Sequence, residues 1–278
     1  VADEQIEAAA AAIGEASALV VGAGAGMGVD SGLPDFRGPE GFWRAYPPYR
    51  DKGLEFTDLA NPQWFHRDPA FAWGFYGHRL ELYRRTTPHE GFSILQQWAQ
   101  ARAHGLFVTT SNVDGQFQKA GFSKERVLEA HGSIHVLQHV DAREDTLIPA
   151  DPYSVTVDES TMRAQEPLPR DEHGALLRPN ILMFGDGAFV QRRAEEQFRQ
   201  FRSWLDEVGD EPLVVVECGA GSAVPTIRMQ CERLTAGGNA TLIRINLRES
   251  DVPRGGIGIA AGALEALRRI DERLRSYA

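Results

Sequence analysis

VVGAGAGMGVDSGLPDFRG, residues 20–38, is the stretch whose reading decides the fold. The apolar residues 18–21 leading into it have the look of a short buried strand. Glycines then alternate at Gly22, Gly24, Gly26 and Gly28, and the loop closes on Ser-Gly-Leu-Pro-Asp-Phe-Arg. Glycines after a strand let backbone N–H groups approach a pyrophosphate without Cβ interference, and a following helix start adds a favourable dipole. A tight strand-to-helix turn that binds nothing is the plainer alternative. Against it stand Asp35, Phe36 and Arg37, an acid, an aromatic ring and a guanidinium held behind Pro34. The glycines run G-x-G-x-G-x-G, so the G-x-G-x-x-G dinucleotide fingerprint is never met. The acid expected about 20 residues further on could only be Glu40, in a loop. A plain dehydrogenase is therefore disfavoured.

Bulk properties narrow the field. A chain of 278 residues can bury a substantial core, and its hydrophobic and charged fractions are those of a globular enzyme. The net charge of -10 argues against general affinity for nucleic acid or anionic membrane, because phosphate binding needs the opposite sign. Two cysteines, Cys218 and Cys231, exclude a disulfide scaffold and fit a reducing compartment. Cys218 ends the apolar run LVVVEC, where a small core hydrophobe suffices. The opening VADEQIEAAAAAIGEA has no basic signal-peptide region, and the longest uncharged run, 16–29, is too short to span a bilayer. A cytoplasmic protein is expected.

Periodicity along the chain predicts helices at 4–16, 69–85, 88–104, 116–122, 195–204, 225–234 and 260–275. Strands are expected at 18–21, 106–110, 127–129, 213–217 and 241–246. Strands alternating with helices imply a parallel sheet covered on both faces. Residues 44–69, rich in proline and aromatics, read as a cover with short helices. Phe71, Trp73, Phe75 and Tyr76 in the next helix read as core. Residues 136–177, polar and with four prolines, break the rhythm as an inserted excursion with short strands around 154–157.

Three residues after these strands suit chemistry. SNVDG, 111–115, lies where a strand meets a helix, the edge at which open α/β sheets bind ligands. Asn112 brings an amide and Asp114 a carboxylate, suited to a carboxamide and a cationic ring, although Asn-x-Asp-Gly also simply caps helices. His131, just past a short strand and before Gly132, can be a general base near neutral pH, or merely a satisfied structural residue. His131, His135 and His139 recur every four residues. In extended chain neighbours in that trio stand about 13 Å apart, too far to share an ion, and a metal is rejected.

With these motifs in order, the chain resembles the NAD-consuming sirtuin deacylases. GAGMGVDSGLPDFRG, 24–38, parallels the family's G-A-G-I-S-x-x-S-G-I-P-D-F-R, departing at Met27 and Gly28. NVDG (112–115), Ala120-Gly121, HGS (131–133), LRPNILMFGD (177–186), the segment 214–222 and Ile245-Asn246 follow in sirtuin order. The likeness covers about 19–246. Ser111 replaces the usual glutamine. ECGAGSAVP, 217–225, and QFQKAGF, 116–122, look more like macrodomain-linked sirtuins, which ADP-ribosylate proteins. Those enzymes typically lack the histidine that this chain keeps. The family's zinc ribbon needs four cysteines between the His-Gly and Leu-Arg-Pro motifs, and none occurs here.

The resemblance implies a Rossmann-like parallel sheet with helices on both faces, plus a smaller inserted domain lacking a zinc ribbon. The whole of 1–278 would be one catalytic domain. Its Rossmann-like part would take about 1–43, 86–135 and 178–278, and its insertions about 44–85 and 136–177. It implies an NAD-dependent lysine deacylase that moves the acyl group of a protein or peptide onto ADP-ribose and releases nicotinamide. The NAD contacts would be Gly24, Ala25, Gly26, Asp35, Phe36, Arg37, Asn112, Asp114, His131, Gly219, Ser222 and Asn246. His131 and Asn112 would be catalytic, His131 taking a ribose hydroxyl proton. Phe184, Gly185 and Asp186 would border the acyl-lysine cleft, with Phe56, Trp64, Phe71 and Tyr76 as candidates for acyl selection. No structural zinc, nucleic acid or membrane partner is expected. A protein mono-ADP-ribosyltransferase using the same pocket, and a non-catalytic NAD or ADP-ribose sensor, remain open.

Overall fold

The structure, a computed structural model, describes residues 3–35, 38–141 and 145–277. Phe36 and Arg37, two of the expected NAD contacts, lie outside the described residues.

The described strands are β1 (Ala18–Ala23), β2 (Leu106–Thr110), β3 (Val127–Glu129), β4 (Gly132–His139), β5 (Ile148–Pro149), β6 (Val157–Asp158), β7 (Arg163–Ala164), β8 (Leu177–Ile181), β9 (Leu213–Cys218), β10 (Ala240–Ile245) and β11 (Ile257–Ile259). Six of them form the main sheet in the order β11-β10-β9-β1-β2-β3, and every neighbouring pair is parallel. From β1 the chain winds outward through β2 and β3, then returns to the other edge of β1 for β9, β10 and β11. This is the doubly wound Rossmann order, whose reversal between β1 and β9 opens a crevice at the strands' carboxyl ends.

The sequence explains the sheet. ALVVGA and LVVVEC are near-continuous apolar runs, as strands covered on both faces require. Leu19, Val21 and Ala23 point to one face and pack with Ile13, Leu95, Trp98, Leu267 and Ile270. Ala18 and Val20 point to the other, against Phe201, Trp204, Ile227 and Cys231. On that second face the Phe107 ring lies 5.0 Å from Phe201 and 5.6 Å from Trp204. Each such pair adds about 0.5–1.5 kcal/mol beyond simple burial.

A second lobe packs beside the crevice. It contains the antiparallel sheet β5-β4-β8, the β6-β7 pair and the helix Pro69–Arg85. Its core is aromatic: Phe42, Tyr46, Tyr49, Phe65, Trp73, Phe75 and Tyr76 are all buried together with Ile134 and Leu177. Gly74 and Gly77 let the long helix lie against backbone and Val155. A Cβ at Gly74 would stand 1.9 Å from the Met162 carbonyl oxygen. Phe71, Trp73, Phe75 and Tyr76 are core residues, as expected.

Several elements differ from the sequence expectation. The glycine loop enters a 3₁₀ turn, Ala25–Ser31, closed by Gly32 at φ 86°. The dipole of an α-helix is therefore not supplied at that point. The helix expected over 88–104 is Glu90–Gln100, started by the unusual cap His89, whose Nδ1 accepts from the Gly91 N–H. The helix near 195–204 is longer, Arg192–Val208, because its charged residues sit on the outer face. Only Gln116–Lys119 is helical in the 116–122 segment. β8 contains Pro179, which reads against a strand. It pairs with β4 and not with the main sheet, across an irregularity between Ser133 and Leu137. A proline has no N–H to give to a regular ladder. Among the described residues no helix is long and apolar enough to cross a membrane.

Candidate functional site

β1 and β9 end level, Ala23 opposite Cys218, so the loops that leave them emerge side by side. They touch backbone to backbone. The Gly24 N–H donates to the Cys218 carbonyl at 3.0 Å and the Gly26 N–H to the Gly219 carbonyl at 3.1 Å. A Cβ at Gly24 would lie 2.6 Å from the Ala220 Cα. One at Gly219, where φ is 64°, would lie 2.4 Å from the Gly26 Cα. Glycine is thus demanded here by two loops approaching each other, before any ligand is considered. The loop after β2 is stitched to the same place. Ser111 N–H donates to the Ala23 carbonyl at 3.2 Å, and the Asn112 Nδ2 donates to the Gly24 carbonyl at 2.9 Å.

These loops form one side of a cavity of about 790 Å³, whose opposite side is the second lobe. Gly24, Ala25, Gly219 and Ser222 stand at the glycine end, Asn112, Asp114 and His131 along the floor, and Asp35 near the entrance loop. The far wall carries Phe56, Tyr76, Arg79, Tyr83 and Phe184. Residues far apart in the sequence thus share one cavity.

The electrostatics of the floor follow from burial. Asp114 is almost fully buried and accepts from the Gln116 N–H at 2.9 Å. Burial pushes its carboxyl up from the usual 3.8 to about 6; the Gln116 hydrogen bond opposes this and the Glu129 charge adds to it. Burial also holds the His131 imidazole below its ordinary value, so at neutral pH the ring is uncharged and can accept a proton. Its Nε2 lies 3.1 Å from the Thr226 Oγ1.

Some expected contacts are placed elsewhere. Gly26 does not line the cavity; its N–H is used on Gly219. Asn246 is buried behind the wall. Its Nδ2 donates to the Ala220 carbonyl at 2.8 Å, and its Oδ1 accepts from Arg248 and Glu249 N–H groups at 3.1 Å. It braces two loops, and Glu249 from the second of them reaches the cavity, accepting from Ser222 N–H and Oγ at 3.0 and 2.5 Å. Asp186 also misses the cavity. It forms a two-pronged ion pair with Arg178 at 2.8 and 2.9 Å, both side chains wholly buried. Gly185, at φ 68°, supplies the turn above it. Of that trio only Phe184 lines the cavity, its N–H tied to the Ala60 carbonyl at 2.9 Å and its ring half exposed. Trp64 and Phe71 lie away from the cavity, while Phe56 and Tyr76 line it.

Arg79 and Tyr83 are among the lining residues not foreseen. Nε and Nη2 of Arg79 donate to the Tyr83 hydroxyl at 3.0 and 2.8 Å. The guanidinium lies 5.1 Å from the Phe75 ring and 5.8 Å from those of Phe56 and Tyr76. Burial raises the Tyr76 phenol, and its hydroxyl has no hydrogen-bond partner among the described residues. The signal was present in the sequence: Tyr76, Arg79 and Tyr83 share one face of a helix otherwise rich in rings. The same helix ends against the floor. Gln116 Nε2 donates to the Tyr83 carbonyl at 3.2 Å, and Lys119 Nζ to the Arg84 and Thr86 carbonyls at 2.5 Å.

Among the described residues no three His, Cys, Asp or Glu side chains are arranged to hold a metal ion. His135 Nε2 contacts the Asp114 carbonyl at 2.9 Å and His139 Nε2 the Asp171 carboxylate at 3.0 Å. Cys218, at the end of β9, and Cys231, in the helix Thr226–Thr235, are both buried, in the cores on opposite faces of the main sheet.

A doubly wound nucleotide-type sheet with an inserted lobe closing over its switch point defines the class of protein. The chain belongs to the Sir2 family, whose model matches residues 24–203. It is 32% identical over 258 residues to NAD-dependent protein deacylase 2 of Pyrobaculum aerophilum, covering 92% of this chain and 90% of that protein. It is 30% identical over 248 residues to an NAD-dependent protein deacylase of Deinococcus radiodurans, covering 88% and 89%. Among solved structures, a Sir2 homolog–NAD complex is similar in fold with a TM-score of 0.71 at 23% identity, over 100% of this chain and 95% of that one.

Proposed function

We propose that the chain is an NAD-dependent protein-lysine deacylase whose acyl pocket favours an acyl group ending in a carboxylate. One observation carries the reading. The glycine loops, the Asn112–Asp114 floor and an uncharged His131 all border a single cavity, with a cation-bearing wall facing them. Two relatives named NAD-dependent protein deacylase are matched over about nine-tenths of their own length, which supports the deacylase assignment.

The residues fit the dinucleotide. The close approach of the two glycine loops, which a Cβ at Gly24 or Gly219 would prevent, brings Gly24, Ala25, Gly219 and Ser222 together along one cavity. Gly24, Ala25, Gly219 and Ser222 would hold the phosphate and adenosine side, Asn112 and Asp114 the nicotinamide side. When bound, NAD supplies a glycosidic bond that releases nicotinamide and an ADP-ribose that receives the acyl group. Asp114, ionised above about pH 6, sets a negative charge beside the centre where positive charge develops. Asn112, its amide committed to Gly24, keeps the floor fixed to the cradle. His131 takes the proton of a ribose hydroxyl on a ring nitrogen, which its lowered basicity leaves bare at neutral pH. Phe184 and Phe56 exclude water from the lysine stem.

The acyl preference rests on Arg79 and Tyr76. A guanidinium set among rings in a buried wall pairs strongly with a carboxylate, two-pronged where geometry allows. The unpartnered Tyr76 hydroxyl offers a further donor. The inserted segments 44–85 and 136–177, which share the aromatic core, would form the acyl-lysine lobe.

The test is a product assay with NAD and peptides bearing acetyl- or succinyl-lysine. Release of nicotinamide with acylated ADP-ribose is expected, with kcat/KM at least tenfold higher for the succinyl peptide. Arg79→Met should remove that preference, and His131→Ala should stop turnover while ADP-ribose still binds. A mass gain on protein would instead mark an ADP-ribosyltransferase, and absence of nicotinamide a binding protein.

A further inference from the structure

We infer that Thr226 is a positioning residue for His131, its hydroxyl holding the imidazole in the orientation from which a ring nitrogen takes the ribose proton. This rests on the deacylase reading above. His131 sits between β3 and β4, on backbone that has little freedom. Gly132 follows at φ 81°, and a Cβ there would stand 2.0 Å from the Asn180 carbonyl oxygen. The backbone fixes the Cα of His131, but the ring still turns about its two side-chain torsions. Its one hydrogen bond among the described residues runs from Nε2 to the Thr226 Oγ1 at 3.1 Å.

Thr226 comes from a distant part of the chain and is carried on a firm base. It opens the helix Thr226–Thr235 directly behind Pro225, which provides no side-chain cap. The next residue, Ile227, and Cys231 one turn on are buried against β1 at Gly22. The Thr226 hydroxyl has no other hydrogen bond among the described residues, so it is not occupied in capping its own helix. A neutral imidazole has one N–H and one bare nitrogen. A hydroxyl can meet either at Nε2, and by doing so it fixes the ring's rotation. Orientation by a third group is what a base needs to be productive, since a displacement of about 1 Å can cost a hundredfold in rate. Ordinary helix-start chemistry accounts for a threonine here, but not for its hydroxyl meeting a half-buried histidine.

The experiment compares Thr226→Val, which keeps the shape and removes the hydroxyl, with Thr226→Ser, which keeps the hydroxyl. Steady-state kinetics with NAD and the preferred acyl peptide are run beside ¹⁵N spectra of histidine-labelled, ligand-free protein. For Thr226→Val we expect kcat to fall about tenfold with KM for NAD within twofold of the parent, and the Nε2 resonance of His131 to move. Thr226→Ser should restore both. An unchanged kcat in the valine variant, a serine variant as slow as the valine one, or an Nε2 resonance unmoved by the loss of the hydroxyl would each overturn the assignment. The spectra need no turnover. A parent protein inactive on every acyl peptide would therefore count against the deacylase reading, while the resonance would still decide the contact.

Discussion

Replacing Asp114 by asparagine should make this protein more stable and less active at once, and the gain should depend on pH. Burial raises the Asp114 carboxyl from 3.8 to about 6. The folded state therefore keeps this proton to higher pH than the unfolded chain does. Folding stability then declines as pH climbs from about 4 to 6 and stays at the lower level beyond. The rise corresponds to about 3 kcal/mol against the ionised form at neutral pH. An asparagine side chain at this position would keep an acceptor for the Gln116 N–H, at present 2.9 Å from the Asp114 Oδ1, and would carry no charge to desolvate. The difference in thermal melts between Asp114→Asn and the parent should shrink as pH falls, to about a third of its full size near pH 4.5. At pH 7.5 they should separate by about 6 °C in favour of the variant. Deacylation by the variant should fall at least tenfold, because the charge at the floor is gone. A variant less stable at every pH, or a difference independent of pH, would refute the assignment of Asp114 as a desolvated carboxylate held at the site for function.

The other expectations concern the frame of the cavity. Asp186→Asn leaves the Arg178 guanidinium buried without its counter-charge and should lower the unfolding free energy in urea by about 3–5 kcal/mol; a loss under about 1 kcal/mol would contradict the pairing. Gly219→Ala puts a Cβ 2.4 Å from the Gly26 Cα at a left-handed φ. ADP-ribose affinity by calorimetry should fall tenfold or more, and an unchanged affinity would show that the loops have room to part.

What the sequence made legible follows from how local each signal is. β1, β2 and β9 are largely apolar runs followed by glycine or Ser-Asn, and their ligand-facing ends could be read directly. Asn112, Asp114 and His131 come straight after such ends, and they do border the cavity. Residues whose role depends on a partner far along the chain were harder. Asp186 follows Phe-Gly in what looks like an open loop, yet its charge is consumed by Arg178 on β8, a strand hidden by Pro179. Asn246 ends a strand in the manner of a ligand contact, but the Ala220 carbonyl and its own loop take its amide. Arg79 is harder to place, because cations in a helix commonly lie at the surface and only its shared face with Tyr76 and Tyr83 marks it out. Only the approach of the floor to that helix turns it inward.

The long helix of the second lobe ends in carbonyls that it cannot satisfy itself, and the floor supplies their donors through Gln116 and Lys119. The wall that bears Arg79 and the base that bears Asp114 are thereby clipped together at one end, like the fixed jaw of a calliper. That end of the cavity is therefore held by direct hydrogen bonds between wall and floor. The separation of the Arg79 cation from the Asp114 carboxylate is thereby set by the fold itself, before any incoming chain is met.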